Sequence, residues 1–127
     1  MKVLLDTHGL IWWFNDPAKL SPKASSILGS PGNTVLISAA VAWELAIKVN
    51  LGKVDALSII SELANHTAQE GFTELPIGIG QAVRAGLLPR HHRDPFDRLL
   101  VAQAQDLNVP ILSADKTLDR YDVKRVW

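Results

Sequence analysis

Short apolar runs alternate with stretches of helical periodicity along the whole chain. Lys2–Leu5 (KVLL) reads as a buried strand, Thr7–Asn15 as a helix, and Pro22–Leu28 as a second helix after the turn residues around Ser21. Thr34–Ile37 is the next strand. Ser38 can cap a helix over Ala39–Leu51 that Gly52 ends, and a further helix over Leu57–Gln69 precedes a short strand at Phe72–Leu75. A short helix at Gly80–Ala85, a loop at Leu88–Arg93 and a helix at Pro95–Leu107 follow. A strand at Val109–Leu112, a helical turn near Thr117 and a last strand at Val123–Trp127 complete the series. Strands separated by helices predict an α/β fold with a mostly parallel central sheet, flanked by helices on both faces. No repeat, low-complexity tract or linker interrupts the pattern, so residues 1–127 are expected to form one domain.

In such sheets ligands bind beyond the carboxyl ends of the strands. Asp6 follows the first strand directly in KVLLD, and Asp115 lies shortly past the strand that ends in VPIL, so both belong on the same rim. Glu44 sits about one and a half turns into the helix that leaves the second strand. That helix is apolar nearly all round (Val41, Trp43, Leu45, Ala46, Ile47, Val49), which leaves Glu44 and Lys48 as a narrow polar stripe. Asp97 lies in HHRDPFDRLLVAQA. At about 100° per residue, Phe96, Leu100, Ala104 and Leu107 form the apolar face of this helix, and Asp97 falls between Ala104 and Val101 at its edge.

Each acid also has a purely structural use. Asp6 and Asp115 can cap the helices that follow them. Glu44 and Lys48 form a permitted i,i+4 pair. Asp94 before Pro95 is a good N-cap, its principal role here, and Asp97 at the third helical position can complete a box-like cap. Taken together, the four acids ask for more, because carboxylates gathered on one rim repel one another unless a cation neutralises them. Sites made of carboxylates alone select Mg²⁺ or Mn²⁺, ions that support phosphodiester hydrolysis.

Composition narrows the chemistry further. The chain has no cysteine, which excludes a disulfide framework and a thiolate metal site. Its 13 basic and 13 acidic residues balance, so no global basic field draws it to nucleic acid, which weakens a pure binding-module reading. A metal-dependent nuclease is less affected, because the ions bring the positive charge to the phosphate. No apolar run approaches the ~20 residues of a membrane span, and the N-terminal segment lacks the features of a secretory signal. A soluble, cytoplasmic protein is expected.

Four blocks in order, KVLLDTHGLIWW, SAAVAWELAIK, HHRDPFDRLLVAQAQ and PILSAD, with a terminal RVW, resemble the PIN-domain toxins of the VapC family. The resemblance covers almost the whole chain, and WELAIK with DPFDRLLVAQA is its most specific part. It implies Asp6, Glu44 and Asp97 as the core metal-binding and catalytic acids, with Asp115 as the fourth. It also implies Mg²⁺- or Mn²⁺-dependent endoribonuclease activity on RNA, inhibition by a small antitoxin protein, and a homodimer. Contact with operator DNA would then come only through the antitoxin. Asp94 is a competing ligand beside Asp97, and Thr7 and Ser113 adjoin the acids, where they can orient them by hydrogen bonds.

Arg90, Arg93, Arg98 and Lys48 are candidates for RNA phosphate contacts, against the alternative of an ordinary solvated loop. His91 and His92 are adjacent in an extended segment and point to opposite sides, so neither is assigned as a metal ligand. On the first helix Leu10, Ile11 and Phe14 share a face while Trp12 and Trp13 project away from it, which suggests an antitoxin or dimer contact unless a neighbouring helix covers them. Two other functions fit the pattern less well. A PIN-fold nuclease of RNA maturation or structured DNA tends to need longer insertions. A non-catalytic α/β signalling module needs an acceptor aspartate at the end of a central strand, and FTELPIG offers none.

Overall fold

The computed structural model describes residues 1–127. Five strands, β1 (Lys2–Leu5), β2 (Thr34–Ser38), β3 (Thr73–Leu75), β4 (Ile111–Leu112) and β5 (Arg125–Val126), form one sheet in the order β3-β2-β1-β4-β5. Every pairing in it is parallel. The central strand β1 is inaccessible at Val3, Leu4 and Leu5. Successive side chains of a strand point to opposite faces, so both faces of the sheet are covered.

Seven α-helices surround the sheet: α1 (Thr7–Asn15), α2 (Pro22–Gly29), α3 (Ala39–Asn50), α4 (Leu57–Ile60), α5 (Leu63–Gln69), α6 (Ile79–Leu87) and α7 (Pro95–Leu107). Their starts follow capping chemistry. Asp6, Ser21, Ser38 and Asp94 each accept a backbone N–H from the first turn of α1, α2, α3 and α7. Helix α3 ends as expected: Gly52 takes φ 71°, and the Lys53 N–H returns to the Lys48 carbonyl at 2.9 Å.

The structure departs from the sequence pattern in several places. The helix expected over Leu57–Gln69 is two, broken at Ser61 and Glu62. Ser58, Ile59, Ile60 and Ser61 are weak helix formers, and the Ser61 hydroxyl donates to the Ser58 carbonyl in competition with the helical ladder. Helix α6 is longer than Gly80–Ala85, because Gln81 reaches back to accept the Gly78 N–H. Strand β4 has two residues rather than four. The Val109 N–H is drawn back to the Ala104 carbonyl as α7 ends, with Asn108 left-handed at φ 52°, and Pro110 has no N–H to give. Strand β5 is likewise confined to Arg125–Val126.

A further departure concerns α7. Its buried residues are Leu100, Val101, Ala102, Gln103 and Ala104, whereas Leu107, expected on the apolar face, is 36% exposed. Helix α6 lies against α7 and covers a second side of it, which buries Gln103. The amide is satisfied there: Ser38 Oγ donates to its Oε1 at 2.6 Å, and its Nε2 donates to the Pro76 carbonyl and Gln81 Oε1.

Candidate metal centre

The parallel register decides where the acids stand. Leu5 of β1 pairs with Leu112 of β4, so the next residues, Asp6 and Ser113, emerge side by side on the carboxyl rim. Asp6 is only 5% exposed. Its Oδ1 accepts the Gly9 N–H at 2.8 Å, the capping bond of α1, and its Oδ2 accepts the Ser113 hydroxyl at 2.5 Å. Capping and site geometry therefore use different oxygens of one carboxylate. Gly9 is required by this approach, since a Cβ there would lie 2.6 Å from Leu5 Cδ1 and 3.0 Å from Asp6 Oδ1. The Ser113 oxygen also accepts the Asp115 N–H at 3.0 Å, which ties two acid-bearing loops through one hydroxyl.

Glu44 is 3% exposed and lies on the buried face of α3 with Ala40, Val41 and Leu45. Thr7 Oγ1 donates to its Oε1 at 2.6 Å and Lys48 Nζ to its Oε2 at 2.5 Å. The expected all-round burial of α3 does not hold. Trp43, beside Glu44, is 61% exposed and meets the Phe96 ring edge-on at 5.1 Å, because no element covers that side.

Asp97 and Asp115 meet through a residue the sequence reading had set aside. His92 Nε2 lies 2.7 Å from Asp115 Oδ2 and 3.2 Å from Asp97 Oδ2. Asp115 Oδ1 accepts the Thr117 N–H and so caps the 3-10 turn Lys116–Arg120, while Oδ2 faces His92. Asp94 caps α7 through Oδ1 and the Phe96 N–H. The box-like cap with Asp97 does not form. The Asp94 N–H that Asp97 would accept donates instead to His92 Nδ1 at 3.2 Å. Strand-like alternation correctly separates exposed His91 from inward His92, but the partners of His92 lie on α7 and beyond β4, which no local signal reveals.

Burial acts unevenly on the four acids. Burial pushes the Asp97 carboxyl up to about 7, reinforced by the charges of Asp94, Glu44 and Asp6 and opposed by His92. Burial likewise raises Asp6, against its hydrogen bonds from Ser113 and Gly9. Burial works to raise Asp115 too, but hydrogen bonds from Thr117 and His92 outweigh it and hold this carboxyl below its ordinary range. Lys48 loses solvent, yet Glu44 more than compensates and keeps its ammonium charged to higher pH. Asp6, Glu44 and Asp97, with Asp115 at the rim, supply carboxylate oxygens, the donor chemistry of a hard divalent cation site.

Arg90, Arg93 and Arg98 gather with Pro95 around an open concavity of about 490 Å³, and none of the three pairs with a carboxylate. Lys48 is not among them, being engaged with Glu44. Trp12 and Trp13 are half-buried, as are Ile11 and Phe14. Trp12 packs on His8 and Trp127, and Trp13 on Phe72.

The profile of the PIN domain family matches residues 3–124. The chain is 32% identical over 122 residues to Ribonuclease VapC22 of Mycobacterium tuberculosis (strain ATCC 25618 / H37Rv), an alignment that spans 91% of this chain and 88% of that protein. The chain belongs to the VapC family of PIN domains. Solved structures show the same fold at lower identity. The VapBC2 complex of Rickettsia felis bound to a DNA fragment from their promoter contains a chain similar to this one, with a TM-score of 0.71, 16% identity, and 99% and 98% of the two chains covered. A toxin-antitoxin complex from Klebsiella pneumoniae is similar with a TM-score of 0.64, 20% identity, and 98% and 96% covered. On this VapC-type domain Asp6 and Asp115 follow β1 and β4 on one rim of the sheet, with Glu44 linked to that rim through Thr7 and Asp97 through His92.

Proposed function

We propose that this chain is the toxin of a toxin–antitoxin pair, an endoribonuclease that hydrolyses RNA phosphodiester bonds at a divalent-metal centre made by Asp6, Glu44, Asp97 and Asp115. The observation that carries this reading is geometric: Ser113 ties Asp6 to the Asp115 loop, His92 stands between Asp115 and Asp97, and Thr7, the residue after Asp6, donates to Glu44. The raised Asp97 carboxyl agrees with it, since a nearby cation favours the ionised form of a buried acid. Mg²⁺ or Mn²⁺ bound there supplies Lewis acidity to the phosphoryl group and a more acidic water.

The protein's own residues do the positioning. Ser113 and Thr7 fix the orientation of Asp6 and Glu44 by donating to them, and Lys48 holds the second oxygen of Glu44. Asp94 starts α7 and thereby sets where Asp97 stands. The Arg90, Arg93 and Arg98 concavity adjoins Asp97 along α7 and receives RNA phosphates next to the one being cut. The toxin acts in the cytoplasm as a homodimer, and a small antitoxin, using Trp12 and Trp13 as part of its contact, inhibits it and carries any operator DNA binding. No helix of the chain is long and apolar enough to cross a membrane.

The test is incubation of the purified protein with mixed tRNA and rRNA, with and without Mg²⁺ or Mn²⁺, beside Asp97→Asn. Discrete cuts that need the metal and drop by more than about 100-fold in the variant are expected, since even neighbours of metal ligands change activity 10–100-fold. Cleavage that survives chelation or the substitution rules the metal centre out.

A further inference from the structure

His92, Asp97 and Asp115 each bring one donor atom within 4.8 Å of the other two, which at first sight is a three-ligand metal site with an imidazole in it. The hydrogen bonds around the ring argue otherwise. Nδ1 accepts the Asp94 N–H at 3.2 Å, so the ring proton resides on Nε2, the nitrogen that faces Asp115 Oδ2 and Asp97 Oδ2. An imidazole ligates a metal through an unprotonated nitrogen. To ligate through Nε2, His92 would have to move its proton to Nδ1 and set it against the Asp94 N–H, donor against donor. That N–H cannot turn away. Asp94 is held as the N-cap of α7 by the Phe96 N–H on its side chain and the Arg98 N–H on its carbonyl.

The backbone of His92 is held as firmly as its ring. Its N–H donates to the Tyr121 hydroxyl at 2.9 Å, that hydroxyl donates to the Pro89 carbonyl at 2.6 Å, and Arg98 Nη1 donates to the His92 carbonyl at 3.0 Å. Every polar group of the residue is thereby assigned, and the one directed at the acids is a donor.

We propose that His92 is a positioning residue of the metal centre: fixed as its Nε2–H tautomer, it braces the Asp97 and Asp115 carboxylates against each other and is not a metal ligand. The inference rests on the metal-centre reading above. Its physical content is that the one N–H donates to Asp115 Oδ2 at 2.7 Å and lies 3.2 Å from Asp97 Oδ2, so it occupies a single lone pair and leaves the rest of both carboxylates for the ion. Asp115 depends on this most. Its side chain is 38% exposed, and beyond the bonds from Thr117 the imidazole restrains it.

The experiment is Mn²⁺ titration of the purified chain followed by electron paramagnetic resonance, with pulsed detection of nitrogen coupling to the bound ion. Wild type, His92→Gln, His92→Leu and Asp6→Asn are compared. Bound Mn²⁺ in the wild type is expected to show no imidazole nitrogen coupling. His92→Leu is expected to weaken Mn²⁺ binding about 10–100-fold, the usual scale for such neighbours. His92→Gln places an amide N–H near the position of Nε2–H and is expected to recover most of that loss. Imidazole coupling that vanishes in His92→Gln would make His92 a ligand and overturn the proposal without requiring any Leu variant to fold. Equal affinity of wild type and His92→Leu overturns it as well, provided Asp6→Asn loses the ion. If Asp6→Asn binds as tightly as wild type, or wild type binds no Mn²⁺, the metal centre itself is wrong and the role of His92 falls with it.

Discussion

The Ser113 hydroxyl donates to Asp6 Oδ2 at 2.5 Å, a contact between residues 107 positions apart in the chain. It exists because β1 and β4 are paired neighbours whose ends are in register, so whatever follows Leu5 and Leu112 must meet. Both residues are buried, and the same serine oxygen accepts the Asp115 N–H. Ser113→Ala leaves an acid without its donor and a backbone N–H without its acceptor. It is expected to cost about 1–3 kcal/mol in thermal or urea denaturation and to weaken Mn²⁺ binding about 10–100-fold. An unchanged Mn²⁺ affinity would show that the bond supports only the fold.

The raised Asp97 carboxyl has a consequence for stability. With its folded value near 7, between about pH 4 and that value the folded chain keeps a proton that the unfolded chain has released, so stability falls as pH rises through this window and levels off above it. Asp6, also raised, acts in the same direction, whereas the lowered Asp115 adds stability that is lost only on going to acid. The metal-free protein is expected to melt at a lower temperature at about pH 8 than at about pH 5.5, and Asp97→Asn to flatten that difference. A divalent ion needs the ionised acids, so Mn²⁺ is expected to raise the melting temperature more at the higher pH. Differential scanning calorimetry with and without chelator measures both. A metal-free melting temperature that climbs over this range would contradict the assignment.

Gly9→Ala tests whether the acid is held by close packing. The new methyl would press on Leu5 Cδ1 in the core and on the Asp6 oxygen that caps α1. Overpacking of this kind costs about 1–3 kcal/mol. Reduced Mn²⁺ affinity should accompany the loss of stability, and wild-type values for both would mean that Leu5 and Asp6 yield freely.

The arginine concavity makes a prediction independent of the metal. Arg90→Gln with Arg93→Gln removes two cations that make no ion pair with a carboxylate, while Arg98 is kept because it holds the His92 carbonyl. Each phosphate contact to a single strand contributes about 0.7 to the slope of log affinity against log salt, so the slope should fall by about 1.4 in the double variant, with Mn²⁺ affinity unchanged. An unaltered slope in filter-binding assays would remove these two residues from the RNA path.

Much of the fold was legible in the sequence because its signals are local. KVLL, TVLIS and the helix caps Asp6, Ser21, Ser38 and Asp94 announce themselves through burial pattern and through the backbone donors they satisfy a few residues on. The acids at strand ends were legible for the same reason, since a residue that follows a parallel strand stands on the rim whatever the rest of the chain does. The capping alternative does not compete with the rim position: Asp6 and Asp115 cap with one oxygen and receive Ser113 and His92 on the second. The break at Ser61, the exposure of Trp43 and Leu107 and the burial of Gln103 were not legible, because each depends on which helix lies alongside.

The chain's own order of residues determined its alternation of strands and helices, its parallel sheet and the identity of the acids that border it, all of which follow from neighbours within a turn or a strand. Only the tertiary structure decided that Ser113 reaches Asp6, that Lys48 belongs to Glu44 rather than to the arginines, and that His92 stands between Asp97 and Asp115. Those are contacts between segments brought together by packing the core. Their partners are chosen by the shape of the whole sheet and its helices, which no short stretch of sequence contains.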